Sequence, residues 1–107
     1  VQGRDPKDKK KILKEAIELQ DAGAEMILFE CIPDSLTNSL VDNLSIPTIG
    51  IGAGPKTDGQ IMVLHDILGI SPLAKKPKFV KDYLAENNSI QEAISSYAFF
   101  HQKSILF

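Results

Sequence analysis

Two apolar tetrads, Met26-Ile27-Leu28-Phe29 and Thr48-Ile49-Gly50-Ile51, each follow a stretch of helical periodicity, and this pattern limits the possible folds more than any other. Neither tetrad alternates apolar with polar residues. Short runs of this kind predict strands buried on both faces, as in a parallel sheet. Ahead of the first, Asp5-Pro6 marks a helix start, with Asp as N-cap and Pro at the first helical position, where its missing N–H costs nothing. Ile12, Leu13, Ala16, Ile17 and Gln20 form the predicted inner face, and Gly23 is a natural stop. Ahead of the second, Pro33-Asp34 opens a helix carrying Leu36, Leu40, Val41 and Leu44. Helix, strand, helix, strand with short connections is the alternation of an α/β fold with right-handed crossovers.

The pattern then changes. The glycine-rich stretch 50–55 is followed within a few residues by Ile61-Met62-Val63-Leu64, too soon for a full intervening helix. We read 61–65 as a third strand reached by a loop, with a short helix beginning at Asp58 as the competing reading. Residues 69–78 read as loop, and Phe79, Val80, Tyr83 and Leu84 as a short helix. Ser89-Ile90-Gln91-Glu92 is a capping box opening a terminal helix with Ile90, Ala93, Ile94, Tyr97 and Ala98 on its buried face.

Three parallel strands leave two exposed edges and make a poor independent domain. An α/β barrel, typically roughly 250 residues long, would supply the missing strands. The chain has 107 residues, enough for one small domain, so it reads as about the last three strands of such a barrel plus C-terminal helices. It begins Val1-Gln2-Gly3-Arg4 without an initiator methionine, as expected of a piece of something longer or a processed chain.

A net charge of -2 from twelve basic and fourteen acidic residues calls for neither nucleic acid nor an anionic membrane. The local lysine clusters, Lys7 to Lys14 and Lys75 to Lys81, read as solvated helix faces and loops. No apolar run approaches the ~20 residues of a membrane helix. The single cysteine, Cys31, cannot form an internal disulfide, which fits a reducing compartment, most simply the cytoplasm.

Glu30 is the most unusual residue, a carboxylate closing an apolar strand at its carboxyl end. That is the face on which α/β barrels build their active sites. A carboxylate short of water there is suited to accept a proton near neutral pH; the plainer alternative is a pair with a lysine or a helix cap. Cys31 reads as a buried structural thiol, because neither His65 nor His101 lies near it in sequence. Gly50, Gly52 and Gly54 follow G-x-G-x-G and run into Pro55, unlike the G-x-G-x-x-G that leads straight into a helix in dinucleotide sites. They read instead as letting the backbone pass close to a ligand or neighbouring strand. His65-Asp66, adjacent on the expected strand, would face opposite sides and serve structure. Tyr97, Phe99 and Phe100 suit packing or an oligomer contact.

Several stretches together resemble the ketopantoate hydroxymethyltransferases, in that family's order and spacing, from the first residue to about Tyr97. They are Val1-Gln2-Gly3-Arg4, Phe29-Glu30-Cys31-Ile32-Pro33, Ser45 through Gly54, Asp58-Gly59-Gln60, Leu64-His65-Asp66 and Pro77 through Lys81. The resemblance implies a TIM barrel, of which residues 1–107 are the C-terminal segment. It implies transfer of a one-carbon unit from 5,10-methylenetetrahydrofolate to 3-methyl-2-oxobutanoate, giving 2-dehydropantoate on the route to pantothenate and coenzyme A. A magnesium ion chelates the keto acid in this family. Glu30 matches the family's proton acceptor, and Ile51 and Ile61 match apolar residues that hold the isopropyl group. The metal ligands, and the lysine and histidine that contact the keto acid, are expected upstream of Val1. The family's tail looks altered at Ser104-Ile105-Leu106-Phe107. The full-length form is expected to be a homo-oligomer, and the isolated chain inactive. Two other readings stand beside this one: a truncated barrel piece acting only as a structural or interaction module, and a nucleotide-binding domain using the glycine loop. The missing helix after Gly54 speaks against the latter.

Overall fold

A computed structural model describes residues 3–70 and 80–102 and divides the chain into two compact units, Val1–Ile61 and Met62–Phe107. The first unit is built on three parallel strands, β1 (Ile27–Glu30), β2 (Thr48–Ile51) and β3 (Gly59–Gln60), in that spatial order. Helices α1 (Pro6–Asp21) and α2 (Asp34–Asn43) complete it.

The start of α1 is as the sequence predicts. The Asp5 carboxylate accepts the Lys7 amide at 3.0 Å, and Pro6 occupies the first helical position. Its end is a paired Schellman closure, in which Gly23 N–H donates to the Gln20 carbonyl and Ala24 N–H to that of Leu19, both at 3.0 Å. Gly23 takes φ 107°, which a side chain would resist. Ion pairs Lys11–Glu15 and Lys14–Glu18 span 3.9 Å on the outer face. Exposed pairs of this kind are worth about 0.3–0.5 kcal/mol each, whereas full burial of one large aliphatic side chain gives about 1.5–3 kcal/mol. Packing therefore holds the helix: Ala16 is buried and Ile12 and Leu13 rest on a core of Ile27, Phe29, Ile32, Leu36, Leu40 and Ala53.

β1 is buried on one face only, which corrects the two-sided expectation there, whereas the central strand β2 is buried at Thr48, Gly50 and Ile51, residues of both faces. Ile27 and Phe29 belong to the core beneath the helices, but Leu28 remains 49% exposed, and Met26 just ahead of the strand 55%. Successive residues point to opposite faces of a strand, so along β1 the residues toward the helices are covered and Leu28 and Glu30 are not. The third strand also lies earlier than expected, at Gly59–Gln60, and is two residues long. An aspartate clamp sets its start: the Asp58 carboxylate accepts from Thr48 N–H at 2.8 Å and from Thr48 Oγ1 at 3.1 Å, while Asp58 N–H donates back to Thr48 Oγ1 at 3.3 Å.

In the second unit, residues 64–67 form a short helix, α3 (Leu64–Ile67), instead of strand, and this helix starts six residues later than the competing reading at Asp58. The predicted short helix around 79–84 is a 3₁₀ turn at Leu84–Glu86, and Phe79 and most of the predicted loop 69–78 lie outside the described residues. Helix α4 (Ile90–Gln102) opens on the predicted capping box, with Ser89 Oγ accepting Glu92 N–H at 3.1 Å. The reciprocal bond falls one residue early, from Asn88 N–H to the Glu92 carboxylate at 3.0 Å. Ala93 is buried and Tyr97 half-buried, but Ile90, Ile94 and Ala98 are exposed, so the inner face is narrower than periodicity suggests. Tyr83 is fully buried and meets Tyr97 edge-on, with ring centroids 5.6 Å apart. Burial raises the pKa of both phenols above the ordinary 10.0. Among the described residues no helix is long and apolar enough to cross a membrane.

The open sheet face makes a measurable difference. The 107-residue chain is expected to bind the dye ANS and to sediment as aggregates. Met26→Lys combined with Leu28→Thr should cut ANS fluorescence by about half while keeping the helical circular dichroism. Unchanged fluorescence would put the sticky surface elsewhere.

Candidate active site

The carboxyl ends of the three strands bring together residues singled out in the sequence. Parallel pairing sets Glu30 level with Ile51. On the other side Gly50 is level with Gln60, and Ile61 N–H continues the ladder to the Gly50 carbonyl at 3.0 Å. Ile61 therefore follows Ile51 in register. Since residues level in a parallel ladder share a face, Glu30, Ile51 and Ile61 form one row across the sheet. It lies on the face opposite the helix layer, the same side as Leu28. All three residues singled out in the sequence are thus brought together within the first unit.

Their surroundings differ from expectation in one respect. Glu30, on the edge strand β1, is exposed rather than short of water. Ile51, on the central strand, is buried, while Ile61 is 39% exposed. Immediately after Glu30 the chain leaves the strand: Cys31 takes φ 52°, the only non-glycine with positive φ among the described residues, and its N–H donates to the Ile51 carbonyl at 2.8 Å. Its thiol is half-buried and reduced, not fully buried as the sequence reading has it. The turn makes Glu30 the last residue on the strand face.

The glycine-rich loop is folded against protein groups. A Cβ at Gly50 would lie 2.9 Å from Thr57 Oγ1, and one at Gly54, where φ is 81°, would lie 2.8 Å from the Asp34 carboxylate. Gln60 Nε2 donates to the Gly54 carbonyl and to Thr57 Oγ1, each at 2.7 Å, and Thr57 Oγ1 donates to the Gly59 carbonyl at 2.8 Å. The sequence reading missed Asp34, Thr57 and Gln60. The signal was the polar run Thr57-Asp58-Gly59-Gln60 wedged between the glycines and an apolar stretch, read there only as part of the family resemblance and as a possible helix start.

His65 and Asp66 belong to α3 in the other unit, so strand alternation does not apply to them; His65 is exposed and Asp66 half-buried. The side chains of Phe100 and His101, and the tail from 103, lie outside the described residues, and Phe99 is exposed. Among the described residues no three His, Cys, Asp or Glu side chains come together as a metal would require.

A parallel α/β sheet that gathers a carboxylate and two isoleucines at its strand ends belongs to the class that builds ligand sites there. Comparison with known proteins narrows the class. A sequence model described as ketopantoate hydroxymethyltransferase matches residues 1–103. The 3-methyl-2-oxobutanoate hydroxymethyltransferase of Buchnera aphidicola subsp. Acyrthosiphon pisum (strain 5A) is 49% identical over 105 residues, covering 98% of this chain and 40% of its own length. Proteins of the same name from Marinobacter nauticus and Bdellovibrio bacteriovorus are 51% and 53% identical, over 92% and 91% of this chain and 37% and 36% of their own lengths. The chain belongs to the ketopantoate hydroxymethyltransferase family, and it spans 40% or less of the length of these relatives.

The contact at Gly54 can be tested against Gly23, where an added Cβ meets nothing within 4 Å. Gly23→Ala should cost only the left-handed backbone penalty, about 1–2 kcal/mol. At Gly54, turning the Asp34 carboxylate away still leaves the Asp34 Cβ at 3.3 Å. Gly54→Ala should therefore cost about 1–3 kcal/mol more, by overpacking, in urea unfolding. Equal costs would mean that the loop yields freely at this point.

Proposed function

We propose that this chain is the C-terminal part of a barrel enzyme that transfers a one-carbon unit from 5,10-methylenetetrahydrofolate to 3-methyl-2-oxobutanoate, yielding 2-dehydropantoate for pantothenate and coenzyme A synthesis. The observation that carries the reading is the row of Glu30, Ile51 and Ile61 at the strand ends of a family member. In this reading Glu30 accepts the C3 proton of the keto acid. The electron pair left on C3 then forms the bond to the folate-borne carbon, water supplies the hydroxyl, and tetrahydrofolate leaves. Ile51 and Ile61 form the apolar wall for the isopropyl group, which puts the C3–H bond at the height of the carboxylate, the positioning that makes proton transfer fast.

The magnesium ion implied by the family resemblance would polarise the keto acid's carbonyl. The described residues offer it no ligand set, so its ligands belong to the part of the family's length outside this chain. Strands from that part would also cover the open sheet face and remove water from Glu30, as a base at a barrel mouth requires. The same reading places the full-length protein in the cytoplasm as a homo-oligomer. The exposure of Glu30 favours a second reading: the 107 residues by themselves act only as a structural or interaction module.

Two outcomes are expected. The purified 107-residue chain should give no conversion of 3-methyl-2-oxobutanoate above the uncatalysed rate in a coupled product assay with folate and magnesium; measurable turnover would refute its dependence on other residues. In a full-length enzyme carrying these residues, Glu30→Gln should lower kcat by about 10²–10⁴-fold with keto acid binding by calorimetry little changed. Unchanged turnover would remove Glu30 as the base.

A further inference from the structure

The hydrogen bonds on the far side of the sheet from Glu30 are more numerous than a two-residue strand needs. Gln60 pairs with Gly50 in register, and adjacent strand residues face opposite ways, so its side chain projects away from the row that contains Ile61. There its single amide nitrogen serves two acceptors at 2.7 Å, the Gly54 carbonyl and Thr57 Oγ1. The Thr57 hydroxyl passes its own proton to the Gly59 carbonyl at 2.8 Å, so each donor has a defined acceptor. Thr57 is buried, and the space it fills above Gly50 exists only because residue 50 has no Cβ. Just beyond, the Asp58 carboxylate holds Thr48. The segment from Gly52 to Asp58 is thereby fastened to β2 and β3 by side chains, since β3 itself contributes almost no ladder.

Ile51 stands at one end of that segment and Ile61 just past the other. Their level relation to each other, and so to Glu30, depends on how the loop closes. We propose that Gln60, through Thr57 and the Gly54 carbonyl, is a positioning residue that fixes the β2–β3 loop so that Ile51 and Ile61 form one wall at the height of Glu30, setting the fit of the branched alkyl group of the keto acid. The inference rests on the reaction proposed above. Gln60 touches neither substrate nor reacting atoms in it.

The replacement that tests this is Gln60→Glu, which keeps the shape but turns a donor into an acceptor facing two acceptors. Thr57→Val removes the hydroxyl, and Thr57→Ser restores it on a smaller side chain. Each is made in a full-length enzyme carrying these residues and assayed with 3-methyl-2-oxobutanoate and with the unbranched 2-oxobutanoate. Gln60→Glu and Thr57→Val should raise KM for the branched keto acid about tenfold, change kcat less, and narrow the kcat/KM preference for branched over unbranched substrate several-fold, the scale on which apolar pockets discriminate. Thr57→Ser should recover most of the preference. Loss of folded protein alone would lower the apparent kcat for both substrates equally and leave the preference intact; that result, or an unchanged preference in well-folded variants, overturns the positioning role. Should a variant fail to accumulate, amide hydrogen exchange in Thr57→Ser at Asp58 and Ile61, whose N–H groups donate to Thr48 Oγ1 and to the Gly50 carbonyl, decides the tie: protection like that of the parent is expected, and exchange at the rate of free loop in both proteins would refute it. An unmutated enzyme that converts neither keto acid would overturn the reaction itself, a failure separable from that of Gln60.

Discussion

Everything at the carboxyl edge of this sheet depends on the register of three very short parallel strands. Two strands have four residues and one has two, so the ladder alone is a weak guarantee of alignment. A slip of one residue would turn each side chain to the opposite face and take Glu30 out of line with Ile51. The alignment is secured from outside the ladder. The apolar side chains of β1 are gripped by the helix layer, Asp58 locks the start of β3 to Thr48, and Gln60 locks the loop between them.

Much of this was legible in the residues. The helix ends at Asp5-Pro6 and Gly23 and the capping box at Ser89 are local devices, and local chemistry decides them. Both four-residue strands fell where the apolar tetrads predicted, with the first shifted by a single residue. What was not legible depends on company. Met26 and Leu28 read as buried because apolar runs ordinarily are, and nothing in the run itself says whether the second layer is present. The row of Glu30, Ile51 and Ile61 was named from family resemblance; its geometry came only with the pairing of the strands. The third strand was expected, at 61–65, and its place was misjudged for a different reason. Gly59-Gln60 has no apolar character, and its pairing is specified by side chains of Thr48, Thr57 and Asp58 acting across the loop, which periodicity cannot register.

The family relationship and the architecture bear on one another. The relatives extend well beyond the length matched here, and on the sheet face that holds the candidate site Leu28, Glu30 and Ile61 are exposed while Ile51 is buried. The side turned toward the helices is complete. On the other side, Leu28 and Glu30 of β1 are exposed.

The alternation along β1 has a consequence for how such a segment can change over generations. Ile27 and Phe29 answer to the helices, while Leu28 and Glu30 answer to whatever occupies the other side. Odd and even positions of the same four-residue strand are therefore judged by different criteria, one by packing against the helices and the other by what meets the exposed face. Cys31, turning the chain away directly after Glu30, ends the strand on a position of the second kind. Substitutions at Leu28 or Glu30 therefore leave the packing of Ile27 and Phe29 against the helices untouched.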